Sequence, residues 1–374
     1  MRLCYLLLSP TVGMHQYTAD LANRAAAGAF GDAEAHLVTT TTLARDRYAP
    51  SVRVHTPLTT SGTGFTLEGL RLDQCWRAYR AVVALRPDLV HITGVHAWNV
   101  PLVWALRRRG IPVVHTLHDL DPHSGVRFGA LIRLWNRCIV AGADHLLVHG
   151  ERYRQQLLAR GIPPARVTAV PLLHLFLSYE RLASLSQALN PQQADPPVAL
   201  FFGRVEAYKG VDTLLDAWAV VARRVPAARL VVAGSVAPGV RLPPLPPGGG
   251  LHDRYISDDE ALALFRAASL LVLPYRDATQ SALVAAAYYF GLPVVVTDAG
   301  ALPEYVVPGE TGWVVPPADP AALAEALVAA LQDQARLRAM GAAARAWYDA
   351  RRQQETATLA AMYASLSHRE SGQG

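Results

Sequence analysis

The sequence predicts an α/β protein of two doubly wound, parallel-sheet domains, and three observations lead there. The chain has 374 residues, its strand candidates are continuous apolar runs, and its strand–helix pattern begins a second time after about residue 196. A length of 374 exceeds one hydrophobic core of ordinary size, so two cores are expected. Apolar runs without polar alternation, separated by helical stretches, belong to strands covered on both faces, and such strands form parallel sheets. The second start follows a polar, proline-containing stretch from Asn190 to Pro197, read as a linker. The expected division is therefore 1–188 and 196–352, with a C-terminal helix over about 353–374 packing back on the first domain.

In the first domain, Leu3–Leu8 reads as a strand, followed by Ser9-Pro10, Gly13 and an amphipathic helix from Tyr17 to Ala27. His36–Thr40 is a second strand and Arg71–Leu85 a helix. LVHITG (89–94) is a third strand, Trp98–Arg109 a helix, IPVVHTLHD (111–119) a fourth strand, Val126–Ala141 a helix and HLLVHG (145–150) a strand. In the second domain PVALFFGR (197–204) is a strand, Gly210–Val225 a helix and ARLVVAG (228–234) a strand. A proline- and glycine-rich surface loop (235–250) follows, then helix Asp258–Ala268, strand LLVLPY (270–275), helix Ser281–Phe290 and strand PVVVTD (293–298). Alanine-rich helices are expected over 321–333, 335–350 and about 353–366, with RESGQG (369–374) disordered.

Composition narrows the function classes. Apolar residues make up 51% and charged residues 17%, an ordinary globular balance. The net charge of +5 suits an anionic partner, either a nucleotide diphosphate or an anionic membrane, and equally suits an arginine-rich proteome. Cys4, Cys75 and Cys138 fit neither a zinc site nor a disulfide framework, so a cytoplasmic location is expected. The first apolar run is too short for a signal peptide, and no stretch reaches spanning length without charge or proline. There is no G-x-G-x-x-G after a strand, no phosphate-binding P-loop and no G-x-S-x-G elbow. Pairs His91/His96 and His118/His123 are spaced five apart, wrong for two metal ligands on one helical face. Asp119 and Asp121 lack a third ligand, so no metal is expected.

Ligands of open parallel sheets bind beyond the carboxyl ends of the strands, which directs attention to the residues just after each strand. In the second domain these are Gly203–Gly210, Gly234-Ser235 and Asp277–Ser281; in the first they are Gly13-Met14, Gly94 and His118–His123. Gly203 permits close backbone approach, and Arg204 and Lys209 flank a loop leading into a helix, an arrangement able to grip a diphosphate. Two solvated surface charges beside a helix start are the plainer alternative. Thr279-Gln280-Ser281 stands at a helix N-terminus, where free N–H groups make an anion site, or where Thr279 or Ser281 simply caps the helix. Asp277 beside it can accept from sugar hydroxyls. His118 at a strand tip can donate to a sugar hydroxyl or stabilise transition-state charge.

Taken together these segments resemble the GT-B glycosyltransferases of family 4, the group 1 family. GRVEAYKGVDTLLDAW looks like that family's G-R-x-x-x-x-K-G-x-D signature, and GLPVVVTDAGALPEYVVPGETGWVV follows its usual order. SPTVGMHQYTADLANRAA looks like its first glycine loop and helix. The resemblance implies two Rossmann-like domains facing a cleft, and a nucleotide-diphosphate sugar held by the second. It implies a glycan, lipid-linked or small-molecule acceptor held by the first. It also implies transfer with retention, no metal or other cofactor, and a place in polysaccharide biosynthesis. Arg204 and Lys209 would then hold the diphosphate, Gly13 would bring a backbone N–H to the same phosphates, and His118 would contact the donor sugar. One departure is visible. The family often carries two glutamates eight positions apart, where this chain has Ala278 and Ala286; DATQSA instead looks like the family's T-Q-S type of turn. A non-catalytic sugar-nucleotide binder or partner subunit, and a sugar-nucleotide epimerase using Glu206 and Asp277, stay open as alternatives. No nucleic-acid partner is expected. Peripheral membrane contact through Arg107-Arg108-Arg109 and the stretch 126–140, with Phe128, Leu131, Leu134 and Trp135, stands beside a core-facing role for that helix.

Overall fold

The computed structural model describes residues 1–9, 11–60, 64–120, 129–185 and 196–367. The chain divides into two compact units. Unit 1 comprises Met1–Ser184 with Gln353–Gly374, and unit 2 comprises Leu185–Arg352. The expected linker lies almost wholly outside the described residues, as do Asp121, His123, residues 126–128 and the 369–374 tail.

Unit 1 runs β1 (Arg2–Leu7), α1 (Val12–Ala26), β2 (Glu34–Thr40), β3 (Arg53–Leu58), α2 (Leu72–Ala84), β4 (Leu89–Ile92) and α3 (Asn99–Arg107). It continues with β5 (Val113–Leu117), α4 (Gly129–Gly142), β6 (His145–Val148), α5 (Glu151–Ala159), β7 (Val167–Ala169) and α6 (Tyr179–Ser184). Its seven strands are all parallel, in the order β3-β2-β1-β4-β5-β6-β7. Leu3 to Leu7 of β1 are buried throughout, as are all four residues of β4 and of β6, as double coverage by helices requires.

Unit 2 runs β8 (Val198–Phe202), α7 (Val211–Arg224), β9 (Arg229–Ala233), β10 (Gly249–His252), α8 (Asp258–Ala267) and β11 (Leu270–Leu273). Then follow α9 (Ala282–Tyr289), β12 (Val294–Thr297), β13 (Gly312–Val315), α10 (Pro320–Gln332) and α11 (Gln334–Ser367). Six parallel strands lie in the order β10-β9-β8-β11-β12-β13. Both sheets therefore reverse direction beside their first strand, between β1 and β4 and between β8 and β11. That reversal opens a crevice at the carboxyl ends of those strands.

Several expectations need correction. α1 begins at Val12, so Gly13 and Met14 lie in its first turn rather than in a loop. The inward face of that turn is polar, with His15 and Thr18 buried, and so shows no apolar periodicity. The loop expected over 235–250 ends early, because Gly249 and Gly250 already belong to β10. The last two expected helices are one 34-residue helix, since the polar run Arg351–Gln354 contains no breaker. Residues of α11 up to Arg352 belong to unit 2 and those from Gln353 to unit 1, where Glu355 pairs with Arg24 at 3.0 Å. Trp135 of α4 is not lipid-facing: it is buried and donates from Nε1 to the His96 carbonyl at 3.0 Å.

Candidate functional site

The strand tips of unit 2 are shaped by glycines that no other residue can replace. Gly203 (φ +113) ends β8, and its N–H donates to Ala233 O. A Cβ on Gly234 would fall 2.2 Å from Gly203 O, and one on Gly210 would fall 2.1 Å from Pro274 O. Both glycines also have positive φ, so the β8, β9 and β11 tips close on one another only with glycine there. Arg276 fastens the same loops. Its N–H donates to Tyr208 O at 2.7 Å, and its guanidinium bonds Asp212 at 2.6 Å and Thr213 at 3.2 Å.

Lys209 lies within this frame, and it is the only lysine of the chain. Its Nζ would stand 3.4 Å from a Cβ on Gly203, and it lies 5.9 and 5.8 Å from the ring centres of Tyr208 and Tyr275. Burial depresses its pKa below the ordinary lysine value; Glu206 opposes that shift and Arg204 adds to it. Arg204 is more exposed and pairs with Glu206 at 3.5 Å. Glu206 itself is only partly exposed. An ammonium ion that is partly desolvated, beside two aromatic rings and, among the described residues, without a short carboxylate contact suits an incoming anion.

Ser281 is the N-cap of α9, its side chain accepting from Leu283 N at 3.3 Å, so the capping role is real. The cap uses one of the first-turn N–H groups and leaves others pointing out of the helix. Ser281 also bonds the hydroxyl of Tyr275, which burial raises to about 12. Thr279 is buried and its carbonyl accepts from Ala301 N at 3.0 Å; Asp277 and Gln280 are half-buried in the same turn. Gly300 (φ +54) fixes this turn, because a Cβ there would fall 1.8 Å from Ala278 O. Ala278 and Ala286 are both buried.

The candidate residues of unit 1 gather at the tips of β1, β4 and β5. Gly13 is exposed, and a Cβ on it would meet nothing within 4 Å, so packing does not demand glycine there. Met14 is half-buried and approaches Gly94, where a Cβ would fall 2.7 Å from a Leu7 methyl and 3.9 Å from Met14 Cγ. His118 is buried at the end of β5 and donates from Nε2 to Thr93 O at 2.8 Å. Burial holds its pKa below the ordinary histidine value despite that hydrogen bond and nearby Asp119. In the neutral ring Nδ1 then carries the lone pair. The Nε2 proton is thus committed to the Thr93 carbonyl, and any donation by the ring to a sugar hydroxyl would have to come from elsewhere than Nε2.

Around His118 lies a polar network that motif reasoning missed. Tyr17 meets the rings of both His118 and His149 edge-on at 5.1 Å. Its hydroxyl bonds Thr116 Oγ1 at 3.0 Å, Thr116 bonds His91 Nε2 at 2.8 Å, and His91 Nδ1 bonds Tyr363 of α11 at 2.8 Å. His149 Nε2 is buried and has no partner among the described residues. The signal for these residues was histidine and tyrosine inside apolar strands, which periodicity counts simply as core. Among the described residues no cluster of three or more metal-ligating side chains occurs; Asp121 lies outside them.

Comparison with known proteins fits this geometry. Residues 12–172 match the model of a glycosyl transferase 4-like domain, and residues 196–333 match glycosyl transferases group 1. A D-inositol 3-phosphate glycosyltransferase 1 from Catenulispora acidiphila is 33% identical over 285 residues, covering 69% of this chain and 67% of that protein. Sucrose-phosphate synthase from Thermosynechococcus elongatus shares the fold with a TM-score of 0.74 at 21% identity, over 98% of this chain and 99% of that one. Anabaena HepE, solved in complex with UDP and glucose, does so with a TM-score of 0.70 at 18% identity over the whole of both chains. The two parallel-sheet units thus form a fold of the GT-B type. The chain belongs to the group 1 glycosyltransferases, family 4, and is a glycosyl-transferring enzyme.

Proposed function

We propose that this enzyme moves a sugar, with retention at the anomeric carbon, from a nucleoside-diphosphate donor bound by unit 2 to a hydroxyl of a glycan, lipid-linked or small-molecule acceptor bound by unit 1. The observation that carries the donor reading is Lys209. In a chain whose other side-chain cations are all arginine, the single lysine stands at the β8 tip, partly desolvated and beside Gly203. HepE's complex with UDP and glucose supports the same donor class. Membership of a transferase family favours transfer over the epimerase and binder alternatives.

In a retaining transfer the acceptor attacks the face from which the diphosphate leaves. Negative charge grows on the leaving oxygens while the sugar carbon becomes oxocarbenium-like. Lys209, Arg204 and the first-turn N–H groups of α9 stabilise the departing diphosphate, and Gly13's N–H adds to them. Asp277, Thr279 and Gln280 hold the donor's hydroxyls. His118, held neutral by burial, contacts the donor sugar near the reacting carbon. The chain's own cations meet the donor's charge, so no metal or other cofactor is invoked and transfer is expected to persist in EDTA.

Having only one lysine allows a direct test. An amine-reactive reagent can label only Lys209 and the N-terminus, and peptide mass spectrometry separates the two. UDP-glucose is expected to protect Lys209 selectively. Lys209→Ala is expected to weaken nucleotide binding by about 1.5–3 kcal/mol and to lower turnover as well. His118→Ala should leave nucleotide affinity nearly unchanged while turnover falls. Labelling of Lys209 that is indifferent to a panel of nucleotide sugars would remove the donor assignment. Equal loss of nucleotide affinity in both variants would make His118 a structural residue.

A further inference from the structure

Unit 1 carries a surface that its own packing does not explain. Leu67, Leu70, Leu72 and Trp76 are 85%, 77%, 74% and 58% exposed, all within ten residues of sequence. Isolated exposed leucines are ordinary, but a run of large apolar side chains held in water is not. These side chains are held out by fixed backbone. Trp98 Nε1 donates to Gly69 O at 2.7 Å, inside the 3-10 turn Leu67–Leu70, and Ala97 N donates to Gly64 O just before it. A Cβ on Gly69 would touch the Ala97 methyl at 3.4 Å, so this turn lies flat against the start of α3 with its leucines pointing away. Beside it, a groove of about 440 Å³ runs between α2 and α3, lined by Cys75, Trp76 and Tyr79 on one wall and Leu102 and Ala105 on the other. Trp76 and Tyr79 stack at 5.1 Å.

The rim of this surface is cationic. Arg108 and Arg109 line the groove, and Arg77 and Arg80 stand exposed on α2. From residue 64 to 110 the chain has seven arginines against three carboxylates, and one of those, Asp73, is paired with Arg71 at 3.1 Å. No helix among the described residues is long and apolar enough to cross a membrane. Exposed leucine and tryptophan ringed by arginine match the depth profile of a lipid surface, with acyl chains below and phosphates above.

We propose that the 3-10 turn Leu67–Leu70 together with α2 and α3 forms a docking face for an anionic lipid bilayer. Leu67, Leu70, Leu72 and Trp76 enter the interface, while Arg77, Arg80, Arg108 and Arg109 engage lipid phosphates. The face shares Arg108 and Arg109 with the surface singled out by sequence but takes its apolar part from Leu67–Trp76 instead of the stretch 126–140, and it stands independently of the donor assignment, because vesicle binding reads nothing at Lys209.

The experiment is co-sedimentation of the full chain with vesicles of phosphatidylglycerol and phosphatidylcholine, against phosphatidylcholine alone. Binding is expected to be at least about tenfold stronger to the anionic vesicles and to fall as salt is raised. Leu67→Ser with Leu70→Ser should weaken it by about tenfold without shifting the melting temperature, as both side chains are already in water. Arg108→Gln with Arg109→Gln should remove most of the preference for anionic lipid. Leu245→Ser, an exposed leucine of unit 2, should change nothing. Equal binding to both vesicle types, or full binding by both double variants, overturns the proposal. So does light scattering that shows a dimer in the wild type and a monomer in Leu67→Ser with Leu70→Ser, which would assign the face to a second copy of the chain.

Discussion

The two units share one strand order and yet treat their strand tips in opposite ways. In unit 2 the tips are open and cationic: glycines bring backbone together, and Lys209 and Arg204 stand above it. In unit 1 the tips and the strands beneath are filled with neutral, hydrogen-bonded His, Tyr and Thr side chains. Every histidine of the chain except His252 belongs to unit 1. A common topology thus decides where a site can be, while the side chains decide whether it is a charged grip or a neutral, pre-set hydrogen-bonding surface.

The largest expected effect of this difference is on acid stability. Burial lowers His91 and His115 to about 3 and His96 to about 4, from an ordinary 6.5. Folded unit 1 therefore stays unprotonated at these rings while its unfolded chain takes up protons below about pH 6.5. Their contribution to stability is complete above that value and is lost as pH falls toward 3–4. Each ring gives a slope of about 1.4 kcal/mol per pH unit, so three approach about 4 kcal/mol per unit. Against a typical stability of about 5–15 kcal/mol, unit 1 should open near pH 4–5. Hydrogen exchange corrected for intrinsic rates should show β4, β5 and β6 losing protection before β8 and β11. Loss in unit 2 first, or in both together, would break the comparison.

A middle-sized effect tests whether the network of unit 1 is held by the C-terminal helix. Tyr363 on α11 bonds His91 Nδ1 at 2.8 Å, and both residues are fully buried. Tyr363→Phe keeps the ring packed at 5.2 Å on Phe30 and removes only the hydroxyl. Stranding a buried imidazole nitrogen should cost about 1–3 kcal/mol, measurable by urea unfolding. A change below about 0.5 kcal/mol would mean that the network tolerates gaps there as it does at His149.

How much of this was legible beforehand follows burial. The central strands β1, β4, β5, β8, β11 and β12 are apolar on both faces and announce themselves as runs. The strands that escaped notice, β3, β7, β10 and β13, are the four sheet edges. They are half-covered and short, with Pro57 in β3 and Gly249-Gly250 in β10, so neither run nor alternation marks them. Around the site, Gly203, Arg204 and Lys209 were visible because glycine and cations after a strand break the local pattern. Tyr275 and Arg276 were not, because their contribution is to hold two loops that are far apart in sequence; Asp212 was visible only as the closing aspartate of the signature, without its tie to Arg276. The exclusive use of lysine at position 209 was a signal in plain composition.

The smallest expected effect concerns that loop fastening in unit 2. Asp212 and Arg276 meet at 2.6 Å but are 38% and 40% exposed, and a pair so placed typically contributes about 0.2–1 kcal/mol. Asp212→Ala should therefore lower stability by less than about 1 kcal/mol. The loops keep their other ties: Arg276 N still donates to Tyr208 O, and Gly210 still closes on Pro274 O. Protection of Lys209 by UDP-glucose should then weaken by no more than about threefold, corresponding to about 0.7 kcal/mol. A double-mutant cycle with Arg276→Ala isolates the pair, and a coupling energy above about 1 kcal/mol would contradict its surface character. If Asp212→Ala instead abolished protection while leaving the melting temperature intact, the carboxylate would belong to the donor's binding surface. The grip of unit 2 would then be a mixed-charge site, and the contrast with the neutral tip of unit 1 would have to be redrawn as one of exposure rather than of charge.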